Sequence, residues 1–137
     1  MELVSVIVPA LNEEASIGAL LDSVVAQTYD NIEVLVSDGG STDATRDIIA
    51  ERSAVDPRIR LVDNPERQIP FALNHAVAAA NGRWMVRIDA HAEVPPDYVE
   101  RIVDHFREHD WGGVGGRKDA VGVTPVGKAI AAAMGSP

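Results

Sequence analysis

Four short apolar runs divide this chain, and each is followed by a stretch whose apolar residues return every three or four positions. The runs are Leu3-Val4-Ser5-Val6-Ile7-Val8, Ile32-Glu33-Val34-Leu35-Val36, Ile59-Arg60-Leu61-Val62 and Trp84-Met85-Val86-Arg87-Ile88. Segments this short and this rich in β-branched residues are predicted as buried strands, the first closed by Pro9. Ile17, Leu20, Leu21, Val24 and Val25 then line one face of a helix. Ile48 and Ile49 mark a second helix, for which Ser41 or Thr42 can supply the N-cap. Leu73, Ala76, Val77 and Ala80 mark the inward face of a third, stopped by Asn81-Gly82. Pro95-Pro96 opens a fourth with Val99, Ile102, Val103 and Phe106 inward. A last strand is predicted over 113–118 and an Ala-rich helix over 126–134. Strands alternating with helices fold as an α/β domain, with a mostly parallel sheet and helices on both faces. At 137 residues, with no repeat or linker, the chain reads as one domain over 1–137.

Bulk chemistry narrows the function. A formal net charge of −9 argues against a nucleic-acid surface, which needs cations to neutralise phosphates. The same charge requires something local, such as a metal ion, wherever an anionic ligand binds. There are no cysteines, which excludes disulfides, thiolate metal sites and cysteine nucleophiles. No signal-like or membrane-spanning stretch occurs, so these residues read as soluble and cytoplasmic.

In open α/β sheets ligands bind beyond the carboxyl ends of the strands. That rule selects Pro9, Asn12, Glu13 and Glu14 after the first strand, Asp38 after the second, and Asp89, His91 and Glu93 after the fourth. Asp is common in turns, yet polar groups gathered after three strands point to a site. Asp38, in Asp38-Gly39-Gly40-Ser41-Thr42-Asp43, is expected to accept a hydrogen bond from a base. Ser41, Thr42 and Asp43 read instead as a turn and helix start, with Asp43 favouring the helix dipole. Asp89 and His91, two apart beyond a buried strand, can reach one divalent cation; Mg²⁺ or Mn²⁺ suits so few protein donors. The alternative for His91 is a loop histidine without a ligand. Gly112-Gly113-Val114-Gly115-Gly116 lacks the Lys-Ser/Thr of a phosphate loop. No G-x-G-x-x-G follows the first strand, which disfavours an NAD-dependent oxidoreductase. Arg67, Arg83, Arg87 and Lys118 read as surface charge, His75, His105 and His109 as surface residues, and Trp84 and Trp111 as packing.

Val6-Ile7-Val8-Pro9-Ala10-Leu11-Asn12-Glu13, Val36-Ser37-Asp38-Gly39-Gly40-Ser41-Thr42-Asp43-Ala44-Thr45, Asn74, Gly82 and Asp89-Ala90-His91 resemble, in this order, the family 2 glycosyltransferases. The form Asp89-Ala90-His91-Ala92 with Gly115-Gly116-Arg117 is most similar to the succinoglycan, exopolysaccharide-building type. The resemblance implies a Rossmann-like GT-A fold and an inverting transfer from a nucleotide-sugar, usually a UDP-sugar, to a saccharide or lipid-linked acceptor. It places Pro9, Ala10, Asn12, Glu13, Asp38, Asn74 and Asp89 at the nucleotide-sugar, with Asp89 and His91 at a divalent metal. His91 stands where the family carries the last acid of D-x-D, Gly39 where a second acid is usual, and the arginine often found before Asn74 is Leu73. Nothing between Trp111 and Pro137 resembles the family's catalytic base. The base is therefore expected beyond Pro137 in a longer protein, working at the inner face of the cytoplasmic membrane. The alternative expectation is a nucleotide-binding module without turnover.

Overall fold

The computed structural model describes residues 1–115 and 124–134. They fall into two compact units, Met1–His105 and Phe106–Pro137. In the first, strands β1 (Val4–Ala10), β2 (Ile32–Asp38), β3 (Ile59–Asp63) and β4 (Trp84–Arg87) form a sheet of order β3-β2-β1-β4. Every neighbouring pair is parallel. Helices α1 (Ile17–Val25), α2 (Thr45–Val55) and α3 (Ile69–Ala79) follow β1, β2 and β3, and α4 (Tyr98–Glu108) begins after β4.

Side chains alternate across a strand, so each strand offers one set of residues to each face. Val4, Val6, Val8, Val34, Val36 and Val86 join Ile17, Leu21, Val24, Ile49, Val99 and Val103 in the main core, under α1, α2 and α4. Ile7 and Leu35 face the other way, against Ala76 of α3. The helices thus cover both faces, as the sequence predicts. Of the expected inward face of α3, Leu73, Ala76 and Ala80 pack with Ile7 and Leu35, Ala72 is also buried, and Val77 is turned out at 44% exposed.

β1 does not stop at Pro9, as expected, but runs to Ala10, opposite Asp38. Even-numbered residues of β1 bond towards β2: the Val4 N–H reaches Asn31 and the Ala10 carbonyl accepts from Gly39. Odd-numbered ones bond towards β4: the Leu3 and Ile7 carbonyls accept from Arg83 and Ile88. The N–H that Pro9 lacks would face the β4 side, next in the ladder after the Ile88 N–H on the Ile7 carbonyl. Proline withholds that donor, so the register with β4 ends at Ile7 and Arg87 while pairing with β2 runs on to Ala10.

The chain steps outward from β1 to β3, then crosses under α3 to set β4 on the far side of β1. That reversal sets the topological switch point between β1 and β4, the kind of place where α/β sheets hold ligands. In the second unit, α5 (Pro125–Met134) starts one residue before its predicted span, and the Thr124 hydroxyl accepts from the Gly127 N–H at 3.0 Å. Of the strand predicted over 113–118, residues 113–115 are not extended into a strand, and 116–118 lie outside the described residues.

Candidate functional site

The loops after β1 and β2 are stitched together. The N–H groups of Asn12, Glu13 and Glu14 donate to Ser41 Oγ, Thr45 Oγ1 and Asp43 Oδ2 at 2.9, 2.8 and 3.2 Å. In return, Asn12 Oδ1 accepts from the Thr42 N–H at 2.8 Å, and Glu14 Oε2 from the Ala44 N–H at 2.9 Å. Asn12 sits at φ 53°, a region asparagine tolerates better than most residues. Neither Ser41 nor Thr42 caps α2, whose N-cap residue is Ala44 with no side-chain cap. Glu14 takes the Ala44 N–H from outside the helix, and Asp43 accepts from the Thr45 N–H at 3.0 Å. Asp43 thus does more than favour a dipole.

Asp38 ends β2 with 0% exposure. Its Oδ2 accepts from the N–H groups of Gly40 and Ser41, each at 3.0 Å, and from Arg46 Nη1 at 2.9 Å; its Oδ1 accepts from the Ser41 hydroxyl. Burial alone would raise its pKa, but these donors together hold the carboxyl below its ordinary value. Arg46 bridges onward to Asp63 at 2.9 Å. The carboxylate expected to meet a base is thus already enclosed by protein donors, which shape the Gly39–Ser41 turn.

Two cavities open at this end of the sheet. One, about 470 Å³, is lined by Pro9, Ala10 and Leu11 and by Arg67 to Pro70 at the start of α3. The other, about 290 Å³, lies against Asp38, Gly39, Gly40, Arg46 and Asp63. Asn64 and Arg67 belong to both walls. A Cβ on Gly39 would stand 3.3 Å from the Cα of Arg67, so the turn after β3 lies directly on this glycine. Arg67 itself holds φ 62°, a strained setting for a side chain of its size. Asn64 is 3% exposed, and its Oδ1 has no donor. Ser37 Oγ, on β2, is the other buried side-chain atom without a partner among the described residues. A buried, unpartnered acceptor costs about 1–3 kcal/mol.

Beyond β4, Asp89 is half-buried, and Arg87 holds its Oδ1 at 3.0 Å. His91 is exposed and turns Nδ1 towards Glu13 Oε1 at 3.3 Å, joining the loop after β4 to the loop after β1. Glu13 also takes the Ser16 hydroxyl at 3.1 Å. An imidazole tied to a carboxylate through one nitrogen is the arrangement that frees the other for a metal. Glu13, Asp89 and His91 do not bring three ligand atoms within 4.8 Å of one another. These three side chains therefore form no closed cage for a metal.

Of the residues selected from sequence, Pro9, Ala10 and Asp38 line the cavities, while Asn12 and Glu13 brace the loops beside them. Asn74 lies exposed on α3 and lines neither cavity. Asp63, Asn64 and Arg46 went unselected. Asp63 and Asn64 obey the carboxyl-end rule that found the others, applied to β3. Arg46 carried no signal, since its role depends on reaching back from α2 to a buried acid.

The sequence pattern described as Glycosyl transferase family 2 matches residues 5–131. The succinoglycan biosynthesis protein ExoA of Rhizobium meliloti is 42% identical over 102 residues, covering 72% of this chain and 31% of that protein. The mannosyltransferase PcManGT of Pyrobaculum calidifontis, solved with GDP-Man and Mn²⁺, superposes with a TM-score of 0.63 at 38% identity, over 67% of this chain and 28% of that one. Glucosyl-3-phosphoglycerate synthase of Mycobacterium tuberculosis, solved with Mn²⁺, UDP and glucosyl-3-phosphoglycerate, gives 0.58 at 32% identity, over 77% and 39%. The chain thus spans about a third of the length of these proteins.

Proposed function

This chain belongs to glycosyl transferase family 2, and on that premise we propose that it holds the donor, a nucleoside-diphosphate sugar, for an inverting sugar transfer. The observation that carries the reading is the pair of adjoining cavities beyond β1, β2 and β3, beside a carboxylate and an imidazole at the end of β4. The base and ribose lie in the cavities, between Pro9, Ala10 and the turn that Asp38 organises, with Asn12 and Glu13 bracing the β1 side. The proposed donor is a UDP-sugar, and the acceptor a saccharide or lipid-linked chain. In the whole enzyme, transfer takes place at the cytoplasmic face of the membrane; no helix among the described residues is long and apolar enough to cross one.

Asp89 and His91 would hold Mn²⁺ or Mg²⁺, which neutralises a diphosphate and eases its departure. Glu13 fixes the ring of His91 for that role. Arg67, a cation in the wall of both cavities, offsets part of the −9 charge where an anion must approach. Asn74, given to the nucleotide-sugar by resemblance, would reach it only from its exposed place on α3.

Calorimetric titration of UDP with and without Mn²⁺ tests the reading. Binding that strengthens with Mn²⁺ is expected. Asp89→Ala should remove the Mn²⁺ dependence and His91→Ala weaken it. Folded protein that takes up UDP under neither condition would overturn the proposal.

A further inference from the structure

Between α3 and β4 the chain turns through Asn81-Gly82, the only Asn-Gly pair in the sequence. Glycine has no Cβ to shield its main-chain nitrogen. The Asn81 side-chain amide and the Gly82 nitrogen are therefore reactive neighbours, already joined by the chain. Asn81 is also exposed to solvent. The fold nevertheless engages both groups. The Gly82 N–H donates to the Ser5 hydroxyl at 2.9 Å. The Asn81 N–H and Nδ2 donate to the two oxygens of Glu33 at 2.6 and 3.2 Å. The Ser5 hydroxyl in turn donates to Glu33 at 2.6 Å. One carboxylate thus holds the amide and, through Ser5, the nitrogen that would attack it.

We propose that Asn81-Gly82 is a site of spontaneous deamidation, latched by Ser5 and Glu33 and released when this corner comes away from β1. Once it opens, solvent takes the proton from the Gly82 nitrogen, which attacks Cγ of Asn81. The new C–N bond closes a succinimide ring; the Cγ–Nδ2 bond breaks, and the nitrogen leaves as ammonia with a proton from water. Water then opens the ring. Attack at Cγ gives aspartate, and attack at the main-chain carbonyl gives isoaspartate, whose chain runs through the former side chain. Nothing is oxidised or reduced, and water is the sole co-reactant. Neither product fits the closed corner. Aspartate sets a carboxylate where a donor stood 3.2 Å from Glu33 Oε2, so a hydrogen bond becomes a like-charge contact. Isoaspartate adds a methylene to the main chain before Gly82, which has no slack: a Cβ there would stand 2.5 Å from the nitrogen and hydroxyl of Ser5. Reaction therefore blocks reclosure, and the site records the time the corner has spent open.

The test is mass spectrometry of the peptide carrying residue 81, after the chain has aged at mildly alkaline pH and physiological temperature. Folded wild type should keep Asn81, and the same chain in urea should convert it to aspartate and isoaspartate. Folded Ser5→Ala and Glu33→Gln should convert it about tenfold faster than folded wild type, because local opening becomes easier. Val103→Ala truncates the core on the opposite face of the sheet. It should lower the melting temperature without raising the rate, which separates release of this corner from general loss of stability. Asn81→Asp should melt below Asn81→Ser, which loses the same donor without adding a charge. Should Ser5→Ala not fold, Glu33→Gln carries the comparison. The proposal fails if Asn81 survives in urea, or if folded wild type converts as fast as the unfolded chain. It fails equally if the latch variants age at the wild-type rate, or if Val103→Ala matches them.

Discussion

At the scale of single residues, two glycines separate space from conformation. A Cβ on Gly82 would lie 2.5 Å from both the backbone nitrogen and the hydroxyl of Ser5, and 2.9 Å from the Leu3 carbonyl. Gly82→Ala must therefore push the start of β4 off β1, and a loss of about 2–3 kcal/mol is expected in urea unfolding. Gly40 has open space around it but a φ of 76°. Gly40→Ala should cost about 1 kcal/mol, all of it from the backbone. The sequence distinguishes neither case, because both glycines sit in ordinary turn contexts. Asp38 shows the same limit from the other side. Its importance is legible from its place at a strand end, yet its fourfold enclosure depends on Arg46, which no local pattern ties to it.

Among the elements, strand and helix positions were largely legible because apolar spacing records which face is buried. The order β3-β2-β1-β4 was not, since it depends on where α3 returns the chain. Nor was the start of α2, which no serine or threonine caps. Its first N–H groups are met by Asp43 and by Glu14, a residue of the preceding loop. Glu14→Ala removes a cap supplied from outside the helix and should cost about 1 kcal/mol, measurable by chemical denaturation. The same substitution unties one of the bonds between the two loops, so the affinity for UDP should fall with it.

Over the whole molecule, acid should reveal a carboxylate far from the ligand site. Glu33 is 8% exposed on the α3 side of the sheet. Burial would raise its pKa, but the Ser5 hydroxyl at 2.6 Å, the Asn81 N–H at 2.6 Å and Arg60 at 2.6 Å outweigh it and hold it at about 2. A carboxyl lowered on folding stabilises the protein above its unfolded pKa, and that stability is lost as pH falls through the folded value. Glu33 should thus contribute about 3 kcal/mol that disappears between roughly pH 4.5 and 2. Comparing unfolding of the wild type with Glu33→Gln across that window checks it: the variant should be less stable at pH 7 and less sensitive to acid. The net charge of −9 was plain from composition. That one buried acid would be held by β1, β2, β3 and the turn before β4 together was not, because its partners are scattered from Ser5 to Asn81.

The bonds between the two loops carry a consequence for motion. The amide hydrogens of Asn12, Glu14, Thr42 and Ala44 are each held by a side chain of the opposite loop, and that of Glu13 by Thr45 at the start of α2. Neither loop can open without releasing the other. In deuterated solvent these hydrogens should exchange at a shared rate, as one cooperative opening rather than as two frayed tips. A ligand touching only the β1 side should then slow exchange on the β2 side equally, so occupancy is registered well away from the point of contact.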